Sequence, residues 1–211
     1  MKILFLTNES STVINFRKEL ILFLLSKGEE VVVISGDNKR EKEIVELGVT
    51  FECVEYSNRS TSIFDNIKLS KKFEKAIKKH NPDVLFTFQA KPNMLGCKAG
   101  KKAGVKHIFA MVEGLGDPFQ PKTLKQKLMY LIISFLYKMA FKCCNKVFVL
   151  NNDDKDFFVN KKYLKEQKCV VINGIGIDVN EWPQTALSFS KKILMISRLI
   201  NAKGIKEYFD A

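Results

Sequence analysis

Residues 2–35, KILFLTNESSTVINFRKELILFLLSKGEEVVVIS, contain a short apolar run, an amphipathic segment and a second apolar run. Residues 2–6 and 31–35 have the length and composition of buried strands. Between them, the apolar side chains recur at helical spacing and Gly28 ends the helix. A strand, a helix and a second strand in this order predict two parallel neighbouring strands joined by a crossover helix.

The same alternation continues along most of the chain. Further strands are predicted at residues 51–55, 83–87, 106–112, 147–150 and 169–172. Helices are predicted at residues 14–27, 39–47, 63–79, 94–103, 122–142 and 153–161. Strands that alternate with helices indicate an α/β fold, and we expect a Rossmann-like, doubly wound parallel sheet.

The sequence pattern changes after residue 172, where glycines and Pro183 replace the apolar periodicity. We therefore predict one domain over residues 1–177, a linker over 178–190 and a truncated start of a second Rossmann-like domain over 191–211. The last part contains a strand from residue 193 and a short helix. Because a lone strand and two helical turns cannot bury their own apolar face, we expect the rest of that domain downstream or in another chain.

Composition restricts the classes of partner and chemistry. The 211 residues, 46% hydrophobic, suffice for one sizeable core, and 35 Lys+Arg against 23 Asp+Glu give a net charge of +12. This charge favours nucleic acid, acidic lipid or a diphosphate as partner. No RNA-binding motif is present, so we expect no nucleic acid. Five cysteines without a Cys-x-x-Cys pair and only two histidines predict no metal site.

No predicted segment is long enough to span a bilayer. The longest apolar run, residues 128–137, is well short of the roughly 20 residues that a spanning helix needs. Residues 3–6 are too short for the apolar part of a signal peptide, which predicts a cytoplasmic protein. The helix at 122–142 has an apolar middle and basic ends, and it is either a core helix or one that lies on an anionic bilayer.

Polar loops follow the predicted strands at the edge where parallel sheets bind ligands. The loop at residues 7–13 contains no glycine, which excludes the dinucleotide-binding fingerprint. Lys91 and Asn93 follow the fourth strand and are predicted to face a cleft, with helix capping as the alternative for Asn93. Glu113 follows the fifth strand and is either a functional carboxylate or an ordinary loop residue. Gly114 and Gly116 beside it would let a ligand approach the backbone closely.

Several segments together resemble the family 4 glycosyltransferases of the GT-B fold. Residues 193–199, followed by Lys203, are similar to the start of the second domain in that family. Other matching segments occur in the same order along the chain. They are Phe16-Arg17, Lys91-Pro92-Asn93-Met94-Leu95-Gly96, Gly114-Leu115-Gly116, Asn151-Asn152-Asp153-Asp154 and Asn173-Gly174-Ile175-Gly176-Ile177-Asp178. Within that family, the chain resembles the branch that builds capsular, O-antigen or glycoprotein oligosaccharides on a lipid carrier.

The resemblance implies a retaining, nucleotide-sugar-dependent hexosyltransferase that adds a sugar to a lipid-linked oligosaccharide or polysaccharide precursor. In that reading, the predicted catalytic carboxylate is Glu113. The donor-binding residues are Arg198, Lys203, Gly174 and Gly176, and the acceptor-binding residues are Arg17, Lys91, Asn93, Gly114 and Gly116. For Arg17, an ordinary surface salt bridge is the alternative.

The same resemblance predicts the partners. The donor would be UDP-linked galactose or N-acetylhexosamine, with no cofactor and no metal ion. The acceptor would be a polyprenyl-diphosphate-linked glycan at an anionic membrane surface, with the protein peripheral at the inner face.

Two alternatives remain open at this point. One is a non-catalytic module that binds a glycolipid or a partner chain through the apolar edge at residues 193–196. The other is one half of a split transferase whose second domain is a separate chain. For the chain alone we expect little or no sugar transfer, because the family's second domain holds the nucleotide.

Overall fold

The computed structural model describes residues 1–57, 62–116, 119, 123–176, 179–181, 186, 193–197, 199 and 203–211. These residues form two compact units, Met1–Gly176 and Ile177–Ala211. The functional roles that the sequence analysis gives to the two parts of the chain stay predictions.

The first unit contains a seven-stranded sheet in which all neighbouring strands are parallel. The strands are β1 (Lys2–Thr7), β2 (Glu30–Ser35), β3 (Thr50–Cys53), β4 (Val84–Phe88), β5 (His107–Val112), β6 (Lys146–Val149) and β7 (Cys169–Val171). Their order across the sheet is β3-β2-β1-β4-β5-β6-β7. The predicted Rossmann-like, doubly wound architecture is confirmed.

Six α-helices connect these strands in the described part of the first unit. They are α1 (Ser10–Ser26), α2 (Glu41–Glu46), α3 (Ile63–His80), α4 (Cys97–Lys102), α5 (Leu124–Cys143) and α6 (Asn152–Asn160). The helix predicted at residues 94–103 instead begins as a π-helical turn, Pro92–Gly96, which continues directly into α4. Pro92 occupies the first turn, where its missing N–H costs no helical hydrogen bond.

The core forms on both faces of the sheet because successive strand side chains point to opposite sides. In β1, Leu4 and Leu6 belong to one apolar cluster, and Ile3 and Phe5 belong to the other. Helices α3, α4 and α5 contribute side chains to the first cluster, and α1 and α2 contribute to the second. Coverage on both faces explains why the strands are continuous apolar runs rather than alternating ones.

The second unit differs from its prediction. Residues 193–197, predicted to start a strand, carry no strand pairing in the described part of this unit. The side chains of Ile193, Leu194 and Ile196 are exposed, and no second strand among the described residues of this unit pairs with the segment. The predicted short helix is present as α7 (Ile205–Asp210), and the Tyr208 hydroxyl donates to the Ile193 carbonyl at 2.8 Å.

Candidate functional site at the carboxyl edge of the sheet

A topological switch point lies between β1 and β4, because successive strands are added to the sheet in opposite directions from these two strands. The chain proceeds from β1 to β2 on one side and from β4 to β5 on the other, so the loops after β1 and β4 diverge. Ligands of open α/β sheets bind in the crevice that this divergence creates. Here Gln89 joins the two loops, because its Oε1 accepts from the Thr7 hydroxyl at 2.9 Å and from the Asn8 amide at 2.8 Å.

Gln89 holds this position in a left-handed backbone conformation, with φ of 72°. Such a conformation is uncommon for a residue other than glycine and is retained where the surroundings fix it. The sequence analysis did not select Gln89. Its position directly after a buried strand could have marked it as a site residue. Its role depends, however, on partners that lie 81 and 82 positions away in the sequence, which the local pattern does not reveal.

The first turn of α1 also lies at this edge. The Ser10 hydroxyl donates to Asp37, which follows β2, and accepts from the Arg40 amide at 3.0 Å. Because α1 begins directly after the loop that follows β1, its N-terminus brings the partial positive charge of a helix to this edge, which favours an anionic group.

Tyr56 and Gly36 fix the other side of the loop after β1. The Tyr56 hydroxyl donates to Asn8 Oδ1 at 2.5 Å, and burial raises the pKa of Tyr56 well above its ordinary value. A β-carbon at Gly36 would lie 2.4 Å from the Asn8 carbonyl oxygen and 2.8 Å from the Tyr56 ring. The sequence analysis missed both residues, whose importance depends on contacts between separate loops.

Lys91 lies at the predicted edge but is only 8% exposed. Its ammonium donates to the Ser57 carbonyl at 2.5 Å and lies 5.7 Å from the centre of the Tyr56 ring. Burial lowers the pKa of Lys91, and the charge of Asp65 opposes that shift. Lys91, Tyr56 and Asp65 line a cavity of about 200 Å³, together with Lys68 and Lys72.

The structure places Asn93 in the core rather than facing a cleft, and this expectation is corrected. Its side chain is fully buried. Asn93 Oδ1 accepts from the Thr87 hydroxyl at 2.7 Å, and Nδ2 donates to the Met111 carbonyl at 2.7 Å. Asn93 lies in the π-helical turn, which directs its amide into the core. There the amide bonds to residues of β4 and β5, so no part of the Asn93 side chain is exposed to bind an acceptor.

Arg17 and Glu113, both predicted site residues, form an ion pair. The same guanidinium donates to the Phe16 carbonyl at 2.9 Å and lies 4.4 Å from the centre of the Phe88 ring. Burial lowers the pKa of Arg17, and the charge of Glu113 opposes that shift. The Arg17 side chain is 5% exposed and the Glu113 side chain is 27% exposed, so the carboxylate is the partner that faces solvent.

This pair changes the predicted role of Arg17. A guanidinium that is buried and already bonded to Glu113 is not presented to an acceptor diphosphate. Arg17 Nε is also buried, and it has no hydrogen-bond acceptor in the described structure. Arg17 therefore holds Glu113 at the end of β5, and a surface salt bridge, the alternative reading, is excluded by its burial.

The predicted glycines adopt backbone conformations that favour glycine. Gly114 has φ of 143° and Gly116 has φ of 68°, and Gly174 and Gly176, after β7, have φ of 100° and 77°. In the second unit, Lys203 is exposed, whereas Arg198 lies outside the described residues.

The described residues lack two structural features. No group of three or more His, Cys, Asp or Glu side chains there could hold a metal ion. None of the helices there is long and apolar enough to cross a membrane.

Comparison with known proteins extends this description. The model of a family described as glycosyl transferase 4-like matches residues 2–151. The chain is 29% identical over 225 residues to the N,N'-diacetylbacillosaminyl-diphospho-undecaprenol alpha-1,3-N-acetylgalactosaminyltransferase of Campylobacter jejuni, with 100% of this chain and 60% of that protein covered. It is also 29% identical over 121 residues to the UDP-Gal:alpha-D-GlcNAc-diphosphoundecaprenol alpha-1,3-galactosyltransferase of Escherichia coli, with 57% of this chain and 30% of that protein covered.

Among solved structures, the chain resembles Anabaena Alr3699/HepE in complex with UDP and glucose, with a TM-score of 0.59 at 14% identity over 88% of this chain and 47% of that one. At this identity, the likeness concerns the fold alone. The chain spans about half the length of that structure and 60% of the Campylobacter relative.

Proposed function

Because the chain belongs to the glycosyl transferase 4-like family, we propose that it is the acceptor-binding part of a retaining, nucleotide-sugar-dependent transferase that adds a sugar to a polyprenyl-diphosphate-linked glycan. The observation that carries the proposal is that the family match and the candidate site cover the same part of the chain. The family match ends at residue 151, and it includes the switch point between β1 and β4 as well as the Arg17–Glu113 pair.

The acceptor class comes from the two curated relatives. The names of both describe transfer to a saccharide on undecaprenyl diphosphate. A diphosphate is an anion, and α1 begins at the carboxyl edge, where the partial positive charge of its N-terminus favours negative charge. The predicted acceptor site is therefore the edge formed by the loops after β1, β4 and β5.

In this proposal Glu113 contacts the acceptor sugar. Its carboxylate would accept a hydrogen bond from an acceptor hydroxyl and orient that oxygen towards the anomeric carbon of the donor. Arg17, buried beneath it, holds the carboxylate in one place. The hydroxyl oxygen then bonds to the anomeric carbon, on the face from which the nucleotide diphosphate departs, as the bond from that carbon to the diphosphate breaks. The hydroxyl proton passes to the Glu113 carboxylate, which already accepts a hydrogen bond from it. Arg198 and Lys203 would neutralise the charge that grows on the leaving diphosphate.

The remaining elements of the proposal are the donor, the location and the rest of the enzyme. A UDP-linked hexose or N-acetylhexosamine is the donor, used without a metal ion. The protein lies at an anionic membrane surface, on the cytoplasmic face, because its acceptor is anchored there. A donor-binding part comparable to the remainder of the longer relatives completes the enzyme, either in the same polypeptide or as a separate chain.

A second candidate is a module that binds the glycolipid without transferring a sugar. The observation that favours it is the exposure of Ile193, Leu194 and Ile196, the apolar edge through which such a module would bind.

Mass spectrometry of the glycolipid tests the proposal and separates these candidates. The chain, alone or mixed with the donor-binding part of a relative, is incubated in detergent with undecaprenyl-diphosphate-linked N-acetylglucosamine and with UDP-galactose, UDP-N-acetylglucosamine or UDP-N-acetylgalactosamine. A glycolipid that becomes heavier by one hexose or N-acetylhexosamine supports the transferase. A glycolipid that binds the chain but stays unchanged in both mixtures supports the binding module, and a glycolipid that neither binds nor changes overturns the proposal.

A further inference from the structure

Gln89 stands apart from the other residues that adopt a left-handed backbone conformation. In the described part of the chain, three residues other than glycine have a positive φ. Two of them, Asn81 and Lys162, follow the helices α3 and α6, where a left-handed residue commonly ends a helix. Gln89 instead follows strand β4, so no helix end explains its φ of 72°. A strained residue at a ligand-binding edge indicates a function for its side chain.

The orientation of the Gln89 side-chain amide is fixed by its partners. Its Oε1 atom accepts from the Thr7 hydroxyl at 2.9 Å and from the Asn8 backbone amide at 2.8 Å. Because a backbone N–H can only donate, the atom that faces Asn8 is the oxygen and not the nitrogen. The NH2 group of Gln89 is therefore turned away from the loop after β1.

This NH2 group is open to a ligand. It has no hydrogen-bond acceptor among the described residues. It also reaches solvent, because the buried side-chain N and O atoms without a partner in that part of the chain are Arg17 Nε and Ser134 Oγ. Two N–H donors are thus presented at the switch point in a direction that the protein sets. Such preorganisation lowers the cost of binding a matching oxygen.

Glu113 lies across the end of β4 from this amide. Phe88 pairs with Met111 in the sheet, so Gln89 and Glu113 follow neighbouring strands at the same edge. The Gln89 side chain is bonded to the loop after β1, on one side of β4, and Glu113 follows β5, on the other side. β1 and β5 are two strand spacings, or about 10 Å, apart. One sugar unit that carries a side group as long as an acetamido group bridges such a gap.

We propose that Gln89 selects an N-acetylated acceptor sugar, because its NH2 group donates to the acetamido carbonyl oxygen while Glu113 binds the reacting hydroxyl of the same sugar. The inference rests on the proposed function, since it needs an acceptor sugar at Glu113. The NH2 group is neutral and only donates, so it suits a neutral carbonyl oxygen, whereas a phosphate is attracted by positive charge. A hydroxyl in place of the acetamido group is shorter and would leave the N–H groups unpaired.

Affinity for a matched pair of acceptor analogues tests the proposal. The probes are short, water-soluble prenyl diphosphates that carry either N-acetylglucosamine or glucose, and titration calorimetry measures the affinity of the full chain for each. We expect the N-acetylglucosamine analogue to bind about three- to tenfold more tightly, as one neutral hydrogen bond allows. Equal affinities would overturn the selection by Gln89 and leave the acceptor site in place. Binding of neither analogue would reject the acceptor site, and this inference with it.

Gln89→Glu separates ligand selection from support of the loop. Glutamate keeps an oxygen for the Thr7 hydroxyl and the Asn8 amide but has no N–H to donate. We expect the ratio of the two affinities to fall to about one, with stability to urea close to that of the parent. The added charge weakens the binding of both diphosphates, so the ratio is the decisive quantity. Gln167→Glu adds the same charge at an exposed position and should keep the ratio. A ratio that survives Gln89→Glu would overturn the proposal.

Nuclear magnetic resonance of the unaltered chain gives a readout that does not depend on the folding of a variant. The side-chain NH2 group of Gln89 gives its own pair of nitrogen–proton signals. We expect this pair to shift when the N-acetylglucosamine analogue is added, and to shift much less with the glucose analogue at equal occupancy. Signals that respond equally to both bound analogues, or to neither, would overturn the proposal.

Discussion

The buried guanidinium of Arg17 in α1 pairs with the carboxylate of Glu113 at the end of β5, across 96 positions of sequence. The contact fixes a helix from one face of the sheet to the loop that follows a central strand. Phe88, at the end of the intervening strand, supports the same guanidinium with its ring. The ion pair thereby holds the Glu113 carboxylate in one position at the carboxyl edge.

Replacing Glu113 by glutamine should destabilise the protein. The substitution keeps the size of the side chain but leaves the Arg17 charge without a counterion in a buried site. We expect the free energy of unfolding to fall by about 1–3 kcal/mol, less than for a wholly buried pair because Glu113 is partly exposed. Urea unfolding at pH 7 measures it.

The matched control is Glu19→Gln on α1, where the carboxylate is 62% exposed and lies 4.0 Å from the Lys18 ammonium. Its effect should stay within about 0.5 kcal/mol, as is usual for an exposed pair. Equal effects of the two substitutions would mean that the Arg17–Glu113 contact stabilises nothing beyond an ordinary surface pair.

Gln89→Met should loosen the loop after β1. Methionine has a similar length but gives the Thr7 hydroxyl and the Asn8 amide no oxygen to bond. We expect a loss of about 1–2 kcal/mol in the free energy of unfolding, and faster hydrogen exchange at the Asn8 amide. The exposed Gln167 provides the control, since Gln167→Met should change neither quantity. Unchanged exchange at Asn8 in the Gln89 variant would contradict the bridging role.

Gly36→Ala should displace the same loop by steric pressure. The new methyl group would meet the Asn8 carbonyl, a backbone atom, so the loop itself must move. We expect a cost of about 1–3 kcal/mol, as for other overpacked sites. Tyr56→Phe, which removes only the hydroxyl bonded to Asn8, should cost about 1 kcal/mol. If the alanine variant were as stable as the parent, the close approach of Gly36 to Asn8 would be wrong.

The carboxylate of Glu52 should make stability depend on pH. Burial alone would raise the pKa of Glu52, but its contacts with Lys79 at 2.9 Å and His80 at 2.7 Å outweigh burial and lower it. A lowered pKa stabilises the folded state above the unfolded pKa, near 4.3, and that contribution disappears as the pH falls through the folded pKa.

Glu52→Gln should therefore lower the free energy of unfolding by about 0.5–1 kcal/mol at pH 7, and the gap to the parent should close as the pH falls below about 4. Urea unfolding from pH 7 to pH 3 follows both proteins. Glu46→Gln, at an exposed position of α2, serves as the control and should show no such gap. A gap that widened towards pH 3 would reverse the sign of the predicted linkage.

The sheet was predictable because each strand is a buried run with its own local signature. All seven predicted strands of the first unit are present, with ends that differ by one or two residues. The positions of Arg17 and Asn93 were not predictable, because the partners of both are distant in sequence and a π-helical turn altered which way Asn93 points. The strand expected at residues 193–196 failed for a related reason, since a strand forms only with a neighbour to pair with.

The most direct test of an acceptor site at this edge is the affinity of this chain for undecaprenyl-diphosphate-linked N-acetylglucosamine in detergent micelles, compared with undecaprenyl monophosphate in the same micelles. We expect saturable binding of the diphosphate-linked sugar. We also expect the monophosphate to bind more weakly, and Glu113→Gln to lower the affinity for the sugar-bearing lipid at a pH and temperature where the variant is folded. Equal binding of both lipids, or no binding beyond that of empty micelles, would contradict an acceptor site at the carboxyl edge of this sheet.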